Sequence, residues 1–146
     1  GSLAGVEEAL AGGAEVNEAN ARGWRPVHYA AMRNHTAVIR QLHAAGADLT
    51  VQNTVAPETG ATPLHLASES GHEETVRELA GLGVDINAGD INGTTPIHFA
   101  AVRGHLAVAR LLLELGADGK RKNSLGFTPS QLASNCGYSE LVTLLS

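Results

Sequence analysis

Apolar residues recur along this chain in short clusters of helical spacing, separated by stretches with no apolar period. Val38, Ile39 and Leu42, and again Val108, Ala109, Leu112 and Leu113, fall at i, i+1, i+4 and i+5, which predicts an amphipathic helix. Gly46, Gly83 and Gly116 stop such helices. Ahead of each lies a shorter cluster within a hexapeptide. Thr62-Pro63-Leu64-His65-Leu66-Ala67 returns 33 residues later as Thr95-Pro96-Ile97-His98-Phe99-Ala100, with relatives at Arg25-Pro26-Val27-His28-Tyr29-Ala30 and Thr128-Pro129-Ser130-Gln131-Leu132-Ala133. Thr62 suits a helix N-cap, and Pro63 suits the first helical position because it has no N–H to leave unbonded. Gly71 supplies the left-handed residue that ends a helix of about two turns, and Asn34 does so in the first unit. The remainder of each period, such as Asp85-Ile86-Asn87-Ala88-Gly89-Asp90-Ile91-Asn92-Gly93, is turn-rich and predicts a projecting hairpin-like finger.

The prolines lie 37, 33 and 33 residues apart (26 to 63, 63 to 96, 96 to 129). A second marker, Gly13-Ala14-Glu15, Gly46-Ala47-Asp48, Gly83-Val84-Asp85 and Gly116-Ala117-Asp118, precedes the next proline by 13, 17, 13 and 13 residues. Four extra residues therefore lie in the connection 51–60. Self-similarity at this period means one supersecondary unit stacked on copies of itself, with binding spread over an extended face.

The combination of Thr-Pro-Leu-His-x-Ala, Gly-His and Gly-Ala-Asp-x-Asn at one fixed period resembles the ankyrin repeat family over nearly the whole chain. The resemblance implies an all-α solenoid of helix-turn-helix units with fingers at roughly a right angle, and a family that generally binds other proteins. One domain, 1–146, is expected: a partial repeat over 1–16, then repeats at about 17–49, 50–86, 87–119 and 120–146. Residues 3–10 align with a second helix that lacks its first, and Gly1-Ser2 is either native or a cloning scar. Ser130-Gln131 replaces the apolar–His pair, so the fourth unit reads as a terminal cap.

Composition fits thin layers. Hydrophobic residues make up 43% of the chain but aromatics only 3%, which suits Ala/Leu layers better than a globular core. No apolar run approaches the roughly 20 residues of a membrane helix, and no charged-then-apolar leader precedes the first unit. The single cysteine, Cys136, excludes an internal disulfide framework and fits a reducing compartment, so cytoplasm or nucleus is expected. Six of the seven histidines recur with the period: His28, His65 and His98 in the first helix, His35, His72 and His105 at the start of the second. Structural hydrogen bonding to the neighbouring finger accounts for them. His43 is expected to pack between second helices, and Cys136 to be a buried or half-buried inert thiol. No phosphate loop, zinc-ligand spacing or nucleophile elbow is present. No enzyme, cofactor or metal site is expected.

Positions that change from unit to unit while facing the inner side are free to read a partner. By resemblance these are the finger tips, the residue before Thr-Pro and the two residues before Gly-His. They are Ala21, Arg22, Trp24, Met32 and Arg33 in the first unit, then the loop around Pro57 with Ala61, Glu69 and Ser70 in the second. The third contributes Ile91, Asn92, Thr94, Val102 and Arg103, the fourth Ser124, Leu125, Phe127, Asn135 and Cys136. Trp24 and Phe127, with Met32 and Leu125, have the composition of interface centres. The alternative is that the two aromatics merely pack over the adjacent finger.

The chain carries a formal charge of −5, but Glu7, Glu8, Glu73, Glu74, Glu78 and Glu114 belong to the outer, second helices. Arg22, Arg33 and Arg103 oppose only Glu69 on the inner side, so a concave face more positive than the whole is expected. Lys120-Arg121-Lys122 is too short to argue for nucleic acid. The favoured partner is an acidic protein or peptide with apolar anchors, bound by a monomeric adaptor or scaffold segment; the rival is a stand-alone inhibitor of an enzyme such as a kinase. The 51–60 loop is either a binding element or a tolerated insertion, since closure entropy is cheap. Leu79, eight residues before Asn87, also resembles the sites that an asparaginyl hydroxylase modifies in some proteins of this kind.

Overall fold

A computed structural model describes residues 15–54 and 59–146. The partial repeat up to residue 14, with Glu7 and Glu8, and the loop residue Pro57 lie outside the described residues. Among the described residues there are eight helices and no strand: α1 (Pro26–Met32), α2 (Thr36–Ala44), α3 (Pro63–Ser70), α4 (Glu73–Gly81), α5 (Pro96–Arg103), α6 (Leu106–Glu114), α7 (Pro129–Asn135) and α8 (Ser139–Leu145). None is long and apolar enough to cross a membrane.

Each first helix starts on a proline. Thr62 and Thr128 cap α3 and α7 by accepting from the N–H groups of His65 and Gln131. The helices run seven to nine residues, too short to persist alone in water, so packing must hold them. The odd-numbered helices pack in one row, α1 on α3 on α5 on α7, and the even-numbered ones in a second row, α2 to α8. One continuous core runs between the rows through Val27, Ile39, Leu42, Leu64, Val76, Leu79, Ile97, Leu112 and Leu141. Burying each such side chain contributes about 1.5–3 kcal/mol.

The first-helix histidines couple the units. His65 Nδ1 accepts from the Thr62 N–H (3.1 Å) and lies 2.7 Å from Thr62 Oγ1. Its proton is therefore on Nε2, which donates to the Thr94 carbonyl in the next finger (2.8 Å). His28 repeats this with Arg25 N–H and the Val51 carbonyl, and His98 with Thr95 N–H and the Phe127 carbonyl. The second set behaves differently from expectation: His72 and His105 donate to the carbonyls of Met32 and Glu69, in the preceding first helix and not in a finger. The reason is their position at the start of the second helix, beside the end of the previous unit's first helix.

That close approach explains two glycines. Gly71 and Gly104 sit at φ +77°, and a Cβ on them would fall 2.8 Å from the His105 ring and 2.7 Å from the Tyr138 ring. Asn34 takes the same left-handed conformation (φ 59°), and its Oδ1 accepts from Thr75 Oγ1 of the next unit.

The fingers locate the extra residues. In the ordinary turns Asn20, Asp90 and Asn123 donate N–H to the carbonyl four residues on, at Trp24, Thr94 and Phe127. Asn53 makes the same closure with Ala61, eight residues on, so the four additional residues lie within the turn itself. Neighbouring fingers are tied by Ile91 N–H to the Thr59 carbonyl and Ser124 N–H to the Asn92 carbonyl.

Gly104→Ala should lower the thermal midpoint well beyond Gly116→Ala. Both glycines have positive φ, but only the first would press a methyl into a ring; nothing lies within 4 Å of the second. Thermal melts of the two variants check this, with a separation of about 1 kcal/mol or more expected.

Burial holds the pKa of both His65 and His98 below the ordinary 6.5. The unfolded chain then binds protons that the folded chain refuses, so stability present above pH 6.5 is lost as pH falls from there toward the folded values. Each such group contributes up to about 1.4 kcal/mol per pH unit. Melting midpoints across pH 7 to 5 should fall, and fall less steeply in His98→Gln.

Candidate functional site

The first helices and fingers position most of the variable side chains where a partner can reach them. Arg22, Arg33, Ile91, Asn92, Leu125, Phe127 and Asn135 are exposed; Trp24, Met32, Glu69, Ser70, Thr94 and Val102 are half-buried. Ile91 and Leu125 stand out at 67% and 73% exposed on adjacent finger tips. Ala21 and Ser124 are also exposed, and Ser124 Oγ donates to the Asn92 carbonyl.

Several positions differ from expectation. Ala61 is buried, because it closes the enlarged second finger against Asn53 and precedes a buried helix start. Cys136 is exposed, since no unit follows it in the described stack. His43 is exposed, lying beside Asp48, Leu82 and Val84 and not packed between second helices. Its position on α2 points away from the core residues Ile39 and Leu42.

Charge is less free than the sequence suggests. Arg103 donates through Nε and NH2 to Glu69 Oε1 (3.1 and 2.7 Å), linking α5 to α3. The bonded carboxylate keeps the Arg103 guanidinium firmly charged, and the two formal charges cancel on that face. Lys120 Nζ donates to the Leu145 carbonyl at the end of α8, and Arg121 to the Asn87 carbonyl. Arg22 and Arg33 have no carboxylate partner among the described residues. Positive charge on this face is thus concentrated in the first unit. On the second-helix row, Arg40 and Glu78 form a bidentate pair at 2.7 and 3.0 Å.

The first unit also holds an aromatic cluster. Trp24 lies 5.1 Å from Tyr29 at a 39° tilt and edge-on to His28 at 5.7 Å. Asn20 organises it, accepting from the N–H groups of Arg22 and Trp24 and donating Nδ2–H to Tyr29 Oη (2.7 Å). The Arg33 guanidinium sits over the Tyr29 ring, 6.0 Å from its centroid. Trp24 therefore packs over its own helix as well as lining the surface. Phe127, 37% exposed, lacks any such partner among the described rings.

Fixed stacking of equivalent units, fingers included, meets an independent comparison at this point. A family model describing ankyrin repeats in sets of three copies matches residues 1–90 and 82–146. The chain belongs to the ankyrin repeat family. A search of curated proteins found no match. Ankyrin repeats generally serve protein–protein interaction and are typically non-catalytic. Among the described residues no group of three His, Cys, Asp or Glu side chains is placed to hold a metal.

In this ankyrin array Asn87 is a structural asparagine. Its Oδ1 accepts from Asp118 N–H (2.8 Å) and its Nδ2 approaches the Gly116 carbonyl (3.5 Å), as Asn17 does with Asp48 and Gly46. Tyr29 was missed by sequence reasoning. It occupies the slot of Leu66, Phe99 and Leu132, but no described first helix precedes α1, so Tyr29 and Pro26 are exposed where Leu66, Pro63 and Pro96 are buried. The signal was available in the broken sequence of apolar side chains at that slot.

Ser68 in α3 is fully buried with its hydroxyl unpartnered, where the neighbouring units carry Ala31 and Ala101. Ser68→Ala should raise stability by about 1 kcal/mol, measured by chemical denaturation, since it removes an unsatisfied buried hydroxyl without leaving a large cavity.

Proposed function

We propose that this chain is a non-catalytic adaptor or scaffold segment that holds a partner protein or linear peptide along its first-helix face and finger tips. The favoured ligand presents acidic residues toward Arg22 and Arg33 and apolar anchors toward Ile91, Leu125 and Phe127. The observation that carries this reading is the row of exposed, unit-specific side chains on fingers whose backbones are hydrogen-bonded to one another. Such a surface loses little entropy on binding, because the backbone is already ordered. The partner binds a single copy of the chain, in the cytoplasm or nucleus, a placement that the lone cysteine supports.

Immobilised chain and an Arg22→Glu/Arg33→Glu variant should be compared in affinity capture with mass spectrometry. Neither arginine contributes to the buried core, so the thermal melt should be nearly unchanged. Partners recovered by the parent chain should bind the variant about tenfold more weakly, and their association should slow as salt rises. Equal capture by both, or association indifferent to salt, would remove the acidic-ligand reading.

A further inference from the structure

Beside the aromatic cluster lies an open groove of about 390 Å³ lined by Glu15, Glu18, Ala19, Asn20, Trp24, Pro26 and Tyr29. Its walls combine an indole ring, a phenol ring and a proline with two carboxylates. Both carboxylates lack an ion-pair partner among the described residues. The nearby cations are already committed: Arg25 Nε donates to the Asn17 carbonyl (2.7 Å), and Arg33 lies over Tyr29. Arg22 is exposed on the adjoining finger tip.

We propose that this groove is a subsite for a basic side chain, a lysine or arginine of the bound protein. The chemistry is complementary on two counts. The negative faces of aromatic rings attract a cation within about 6 Å of the centroid, best of all at tryptophan. The Arg33 guanidinium, 6.0 Å from Tyr29, shows one ring of this cluster already serving that purpose within the chain. Glu15 and Glu18 supply full negative charge at the same opening, and Pro26 and Ala19 offer apolar surface to the methylene stem. Tyr29 is fixed for the task by Asn20 Nδ2, and Trp24 by its contacts with Tyr29 and His28, so the rings need no rearrangement to receive the guest.

The subsite is independent of the acidic-ligand reading, since it uses neither Arg22 nor the tips of the later fingers. It adds a polarity to recognition: a basic residue at the first-unit end, with acidic residues over Arg22 and Arg33 beside it.

Trp24 is the only tryptophan, so its emission reports on the groove directly. Capped alanine–lysine–alanine and alanine–arginine–alanine tripeptides should be titrated into the full chain, with alanine–norleucine–alanine as the uncharged control. A saturable emission change is expected for the two cationic tripeptides and none for norleucine. Glu15→Gln/Glu18→Gln should weaken their binding by about fivefold while leaving the circular dichroism melt unchanged. Absence of saturation with either cationic tripeptide, an equal response to norleucine, or undiminished affinity in the double variant would overturn the proposal. None of these outcomes bears on capture by the Arg22→Glu/Arg33→Glu variant, which tests the other face separately.

Discussion

The stack depends on an imidazole that its own unit satisfies only by half. His65 Nδ1 is taken up by the start of its own helix, which forces the ring proton onto Nε2 and leaves a buried donor in need of a carbonyl. The next finger supplies it. An unmade bond there would cost about 1–3 kcal/mol, so the unit and its neighbour are ordered together or not at all. Helices of seven to nine residues have no independent stability to fall back on. Where the series ends, the chemistry changes: Gln131 turns its Oε1 back onto Thr128 N–H and Oγ1 and is exposed, so the fourth unit closes its own helix start without a following finger.

This coupling decides which residues remain for recognition. Histidines, motif threonines, Gly71 and Gly104 are occupied by the stack itself. The variable positions are free only if no variable neighbour engages them, and Glu69 and Arg103 do engage each other across units. An exposed pair of this kind contributes at most about 1 kcal/mol to stability, yet it neutralises the middle of the first-helix face. Arg22 and Arg33 are left to carry the positive charge, beside the aromatic cluster and its two carboxylates.

Much of this was legible in the sequence because repetition acts as its own control. Helix starts at Pro26, Pro63, Pro96 and Pro129, the left-handed Asn34 and Gly71, and the position of the four extra residues all follow from comparing units with one another. What comparison misses is any contact between two positions that both vary. Nothing local couples Glu69 to Arg103, 34 residues away, or directs Lys120 to the Leu145 carbonyl. Exposure at Tyr29 and Cys136 is an end effect, invisible to a periodic pattern because identical slots are buried only when a neighbour exists. His43 escaped for a simpler reason: its slot holds apolar residues elsewhere, but at the outer edge of a short helix that slot can face water.

The fingers show how a fixed scaffold and an individual surface coexist. In each, an Asn or Asp at the turn's start accepts from N–H groups two and four residues on, or, in the enlarged second finger, Asn53 accepts from Ala61 eight residues on. The same side chain thus closes turns of two different lengths, because it binds the closing strand's N–H regardless of what lies between. Insertion at this point leaves Thr59 still aligned to accept from Ile91, so the ladder of fingers continues undisturbed. Extra chain is therefore tolerated where a partner would meet it, between the first-unit arginines and the apolar tips of Ile91 and Leu125. An interruption in the finger row, placed there, divides the surface into a charged, aromatic end and an apolar end, which is the division that an extended ligand of mixed character would match.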